Sequence, residues 1–144
     1  MGNSVALKQY IFTSIMHYQA DSDYAYNLCR MSVGICNDLG ITGRVFANDI
    51  EALAILEGPV LVVDKYVQSI NADPLVNSLL IHSEKEVADR EFSDYSIWLK
   101  SEGIKEHNPQ IHALTKKTLS QAFPETMSTK VRILATAFLG PLAG

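Results

Sequence analysis

Apolar positions along this chain switch between a period of two and a period near 3.6, and each switch marks an element. Gln9 to Ser14 is short, β-branched and aromatic, which predicts a strand. From Asp21 to Leu39 the apolar or small positions Ala25, Leu28, Cys29, Ser32, Ile35, Cys36 and Leu39 recur at helical spacing. Asp21 or Ser22 can cap that helix, and Gly40 can end it in the left-handed conformation. Gly34 inside it costs about 1 kcal/mol relative to Ala, which points to close packing there.

Arg44 to Ala47 and Ile50 to Glu57 predict a hairpin joined at Asn48-Asp49. In its second strand Ala52, Ala54 and Leu56 face one way and Leu53 and Ile55 the other, so both sides of the sheet need cover. Pro59 opens a second helix carrying Val63, Tyr66, Val67 and Ile70, and Asp73-Pro74 stops it. Leu75 to Ser83 predicts a fourth strand. A charged link from Glu84 to Glu91 leads to a fifth at Tyr95 to Leu99. Beyond it, Asn108-Pro109 is expected to cap a third helix with Ile111, Leu114, Leu119, Ala122 and Phe123. Ser128 then opens a fourth with Val131, Leu134, Ala135 and Phe138.

The order β-α-β-β-α-β-β predicts an α+β, ferredoxin-like mixed sheet with two helices on one face and two C-terminal helices on the other. Residues 1–144 are expected to form a single domain, with a core at 9–99 and a helical cap at 100–144.

Composition narrows the function. Apolar residues make up 47% and charged residues 19% of the chain, a globular balance. The formal charge of −4, with no basic stripe, argues against nucleic acid. No apolar stretch is long enough to span a bilayer. Cys29 and Cys36 on one helix are separated by roughly 10 Å of rise, too far to pair with each other. A reducing cytoplasm is therefore the expected compartment.

Gly40-Ile41-Thr42-Gly43 before the hairpin and Leu56-Glu57-Gly58 before the second helix carry a family resemblance. Ile70 and Asp73, Arg90-x-Phe92, and Tyr95-Ser96 extend it across residues 9–99. The order and spacing resemble the BLUF family, blue-light sensors that use FAD. The resemblance implies a flavin ring between the two helices, a strand-one Tyr that gives up an electron and proton, and a strand-three Gln that rearranges its hydrogen bonds. It also implies a first-helix Asn and an Arg-His pair after the second helix as ring-binding groups.

Carried over residue by residue, that Tyr falls on Phe12, the Gln on Ala54, the Asn on Ile35, and the Arg-His pair on Leu75-Val76. The last-strand Trp and Met positions hold Tyr95 and Ile97, and Ser14 and Asn37 remain polar nearby. Leaving three polar partners unmade costs roughly 3–9 kcal/mol, or about two to six powers of ten in affinity. FAD, the cofactor the family implies, is expected to bind weakly or not at all. A vacated cavity of about 200 Å³ would cost roughly 5 kcal/mol, so either the helices close onto the sheet or an apolar guest occupies the space, and closure is the expectation.

Other constellations read as structural. His107, His112 and Glu106 lack metal-ligand spacing, and neither His17 with Ser14 nor His82 with Ser83 has an orienting carboxylate at diagnostic spacing. Glu51 and Glu57 read as solvated or capping carboxylates, and Cys29 and Cys36 as packing residues, Cys36 sensing oxidants only on an exposed helix. No catalytic set and no metal site is expected. The reading is a degenerate BLUF-like sensory or regulatory domain, not an enzyme, acting on an unknown protein partner and forming a homo-oligomer. Its alternative is an FAD-binding photoreceptor with an altered pocket.

Overall fold

The computed structural model describes residues 6–16, 22–47, 51–100, 108–115 and 118–143. In chain order these form β1 (Leu7–Met16), α1 (Ser22–Leu39), β2 (Thr42–Ala47), β3 (Glu51–Pro59), α2 (Val60–Asn71), β4 (Val76–Val87), β5 (Tyr95–Leu99), β6 (Ile111–Ala113), a 3₁₀ turn (Leu119–Ala122) and α3 (Thr129–Ala143). The six strands make one sheet in the order β4-β1-β3-β2-β5-β6. Pairing is antiparallel from β4 through β2 and parallel at β2-β5 and β5-β6. The fold is the expected α+β, ferredoxin-like arrangement, and the Asn48-Asp49 turn lies outside the described residues.

Alternation on β3 places a core on each face. Ala54 and Leu56 join Phe12, Val63, Val67 and Ile97 under α1 and α2. Leu53 and Ile55 join Ile11, Phe46, Trp98, Val131 and Ala135 under α3. Two glycines shape the entry to β2. Gly40 ends α1 at φ 72°, and a Cβ on Gly43 would meet the Ile55 carbonyl oxygen at 1.8 Å. No helix among the described residues is long and apolar enough to cross a membrane.

Three expectations need correction. The charged stretch after Ser83 is not a link: β4 runs on to Val87, pairing Glu84 with Tyr10 and Glu86 with Lys8. β4 is an edge strand with its side chains mostly exposed, where charges are tolerated and discourage further pairing.

The predicted third helix is replaced by β6 and the 3₁₀ turn, leaving one C-terminal helix instead of two. Its apolar spacing was accidental, because Ile111 packs on the cleft side and Leu114 on the α3 side. The edge of β5 supplies the competing force. Its unpaired backbone is satisfied when Ile97 N–H donates to Gln110 O (2.8 Å) and Leu114 N–H donates to Leu99 O (3.0 Å).

The close packing expected at Gly34 is also absent, since a Cβ there would meet nothing within 4 Å. The tail helix itself begins as expected, with Ser128 Oγ accepting from Val131 N–H at 3.3 Å.

Candidate ligand cleft

Sheet register sets the floor of the site. Phe12 on β1 lies directly opposite Ala54 on β3, Ala54 opposite Val45 on β2, and Val45 opposite Ile97 on β5. One row farther along, Ser14, Ala52, Ala47 and Leu99 align in the same way. Leu28, Cys29 and Ser32 of α1 form one wall. Tyr66 and Ile70 of α2, with Asp73, Leu75 and Val76 beyond it, form the other. They enclose an open cleft of about 230 Å³.

The expected closure of the helices has therefore not occurred. Hydroxyl groups hold the walls at their spacing. Ser32 Oγ is hydrogen-bonded to Tyr66 OH (3.1 Å) and Tyr95 OH (2.7 Å), tying α1 to α2 and β5. At the far end of α2, Asp64 accepts from Lys8 Nζ at 2.7 Å and from the Tyr10 hydroxyl, which pins the helix to β1. Tyr10, next to the donor position on the same side of β1, is thus committed to Asp64 and absent from the cleft lining.

Five of the six sequence-predicted positions meet in this cleft: Phe12, Ser14, Ala54, Leu75 and Val76. Ile35 does not. It is 45% exposed, while its neighbour Cys36 is fully buried beneath α1. Cys36 faces the core, and neither residue is among those lining the cleft. Asn37 is also outside, exchanging amide hydrogen bonds with Gln110 at 2.9 and 3.0 Å. Ser32 and Tyr66 went unrecognised as site residues. Their signal was available, as hydroxyl groups inside otherwise apolar helix stripes.

Most of the polar groups in the cleft are uncharged. Burial raises the Tyr66 and Tyr95 hydroxyls well above the ordinary phenol range, so both stay protonated. Burial pushes the Cys29 thiol up to about 11 and raises Cys36 as well. Both cysteines are free thiols, Cys29 partly buried and Cys36 fully buried, so the exposure on which oxidant sensing by Cys36 was conditional is not present. Asp73 is the one acidic lining residue, and its Oδ1 accepts from Leu75 N–H at 2.9 Å. The arrangement can bind a molecule. It holds no activated nucleophile.

The second polar cluster lies on the opposite face. Glu57 is fully buried, where the sequence suggested a solvated or capping group. It does cap: Oε1 accepts from the N–H groups of Glu91 (2.9 Å) and Phe92 (3.0 Å), and Oε2 from Gln9 Nε2 (2.8 Å). Gln9 Nε2 also donates to Glu91 Oε2 (2.9 Å), and the other oxygen of Glu91 accepts from the Ser128 N–H leading into α3. Burial is the main force raising the Glu57 pKa.

The remaining candidates are structural. His82 Nε2 is hydrogen-bonded to Thr13 Oγ1 (2.8 Å), and His112 stacks on Trp98 with ring centroids 4.3 Å apart. His17, Glu106 and His107 lie outside the described residues. Among the described residues no group of three His, Cys, Asp or Glu side chains could hold a metal ion.

Fold and site together define the class: an α+β domain whose helices wall a cleft over a ferredoxin-like sheet. Residues 7–98 match the family model described as sensors of blue light using FAD. The chain belongs to the BLUF family. Among solved structures, BlrB, titled a BLUF protein in its dark state, is 25% identical, with a TM-score of 0.57 over 65% of this chain and 71% of that one. The BLUF domain of BlrP1 is 19% identical, with a TM-score of 0.65 over 92% of this chain and 89% of that one. A bacterial light-regulated adenylyl cyclase is 16% identical with a TM-score of 0.60, and this chain spans 35% of its length. No curated protein matches the sequence.

The residues present do not fit flavin. An isoalloxazine ring needs polar partners at its carbonyl and ring-nitrogen edge, and Phe12, Ala54, Leu75 and Val76 offer none. The hydroxyls of Ser32, Tyr66 and Tyr95 bond one another, which leaves them fewer sites than the several polar atoms of that edge require.

Proposed function

We propose that this domain is a sensory or regulatory module that does not run flavin photochemistry and acts through contacts with a protein partner. One observation carries the reading: Phe12 and Ala54 face each other across β1 and β3, where family chemistry needs a phenol and an amide. A phenylalanine ring has no proton to release, and a methyl group has no hydrogen bond to rearrange.

Exposed apolar side chains support contact with other proteins, including a second copy of this chain. Met31, Ile35 and Leu39 form an exposed stripe on α1, and Ile15, Leu80 and Ile81 lie exposed on β1 and the β4 edge. The two free thiols suit a reducing cytoplasm. Without an activated nucleophile in the cleft, the domain is proposed to have no enzymatic activity of its own.

The test is the absorption spectrum of freshly purified protein before and after incubation with FAD and gel filtration. The expected result is a colourless protein with no retained flavin band. The second reading is an FAD-binding photoreceptor with an altered pocket, and the open cleft favours it. Retained flavin with a light-induced spectral shift would establish that reading instead.

A further inference from the structure

We propose that the cleft is a binding site for a neutral, flat ligand of about two fused aromatic rings carrying a single hydrogen-bonding group. This rests on the reading that flavin is not held, and it names what the same site accepts in its place. Size is the first argument. The cleft holds about 230 Å³, whereas a dry cavity of about 150 Å³ accepts one benzene ring. Shape is the second. Three alanines, Ala47, Ala52 and Ala54, make a shallow strip in a floor otherwise formed by Phe12, Val45, Ile97 and Leu99, and the walls are two helices, which leaves a slot rather than a sphere.

Chemistry is the third argument. The lining is mostly apolar, burial keeps the Tyr66 and Tyr95 hydroxyls protonated, and the acidic wall residue Asp73 has Oδ1 bonded to Leu75 N–H, so a charged ligand would lose most of its hydration on entry. Ser32 Oγ already contacts both phenols, and it has one donor and two acceptor sites to share between them and a ligand hydroxyl. The hydroxyl bridge also keeps the slot open in the absence of a guest. A preformed slot loses less to ordering when the ligand enters.

The experiment titrates purified protein with 2-naphthol by calorimetry and by methyl chemical shifts. A dissociation constant on the order of tens of micromolar is expected for so small a ligand. Shifts should concentrate at Leu28, Leu56 and Ile97, and not at Leu53 or Leu134 in the cavity under α3. Ala54→Leu, which fills the slot, should weaken binding at least about tenfold, and Ala52→Val supplies the same test if the leucine overpacks the sheet. Ser32→Ala should weaken binding roughly fivefold through loss of one hydrogen bond.

Absence of 2-naphthol binding by a protein that also stays colourless in FAD overturns this inference and leaves the proposed function standing. Binding that survives the filling variants, or shifts centred on Leu53 and Leu134, also overturns it. Stoichiometric FAD uptake that displaces 2-naphthol overturns both readings.

Discussion

The two faces of the sheet handle polarity in opposite ways. Under α1 and α2, the positions where the family resemblance expects polar groups are apolar, and the remaining hydroxyls bond one another around an open cleft. Under α3, a buried carboxylate, a second carboxylate and a buried amide knit β1, β3, the loop before β5 and the start of α3 together. Arg44 strengthens that side. Its Nε donates to Ala122 O at 3.1 Å, its Nη2 pairs with Asp94 at 3.0 Å, and its guanidinium covers the Phe92 ring. Buried polar groups fix the tail to the sheet on one face, and apolar side chains make most of the cleft lining on the other. The α3 face buries the ionisable groups Glu57 and Arg44, whereas the cleft face carries its Lys8–Asp64 ion pair at the partly exposed rim.

The largest expected effect tests that asymmetry directly. Glu57→Ala strands the Glu91 and Phe92 N–H groups and takes one of two acceptors from Gln9. At about 1–3 kcal/mol for each stranded group, chemical denaturation should show a loss of roughly 2–6 kcal/mol. Tyr95→Phe on the cleft face should cost only about 1 kcal/mol, because Ser32 keeps its bond to Tyr66. If Tyr95→Phe proves the more damaging of the two, the contrast between the faces is wrong.

Stability against pH should separate the faces by sign. Glu57 has a pKa raised above 4.5, chiefly by burial, so the folded state holds its proton more tightly than the unfolded chain does. Its contribution is fully present below 4.5 and is lost as pH rises through the folded pKa. Asp64 on the cleft face has the reverse shift. The Lys8 ammonium and then the Tyr10 hydroxyl hold its carboxyl below 3.8. Its contribution is present above 3.8 and is lost as pH falls through the lowered value. Denaturation midpoints measured from acid to neutral pH should lose the falling arm in Glu57→Gln and the acid-side loss in Asp64→Asn. Equal curves for wild type and Glu57→Gln would show that Glu57 keeps an ordinary pKa.

The legibility of each face in the sequence follows from how local its signal is. Strands β1, β2, β3 and β5 and helices α1, α2 and α3 were visible because each repeats its apolar period over several residues. Gly40 and Gly43 were visible because a positive φ and a close carbonyl demand glycine. Five cleft positions were visible because the family resemblance, carried over residue by residue, points to them, and strand alternation agrees for Phe12, Ser14 and Ala54. Ile35 lies off the cleft lining while Cys36 is buried, because one step along a helix turns a side chain by about 100°.

The α3 face was far less legible. Gln9 and Glu57 are polar letters in strands, and polarity alone does not distinguish a solvated group from a buried one. Their burial depends on the loop at Glu91 and on Ser128, which are distant in sequence. β6 was hidden for the same reason. Its three residues become a strand only because β5 offers an edge.

The smallest expected effect sharpens the account of the cleft walls. Gly34 lies on α1, and a Cβ there would meet no atom within 4 Å, so no packing reason for glycine exists at that position. Ala has less backbone entropy to lose and is the better helix former, by about 1 kcal/mol. Gly34→Ala should therefore raise stability by about 1 kcal/mol in denaturant titrations. It should leave 2-naphthol affinity unchanged, since Gly34 is not among the residues lining the cleft. A gain in stability with unchanged affinity would mean that α1 is limited by its own backbone and that the slot's width is set elsewhere, by the Ser32 bridge. A gain accompanied by weaker binding would mean that the glycine supplies play in the wall that the ligand uses, and the hydroxyl bridge would lose its role as the spacer.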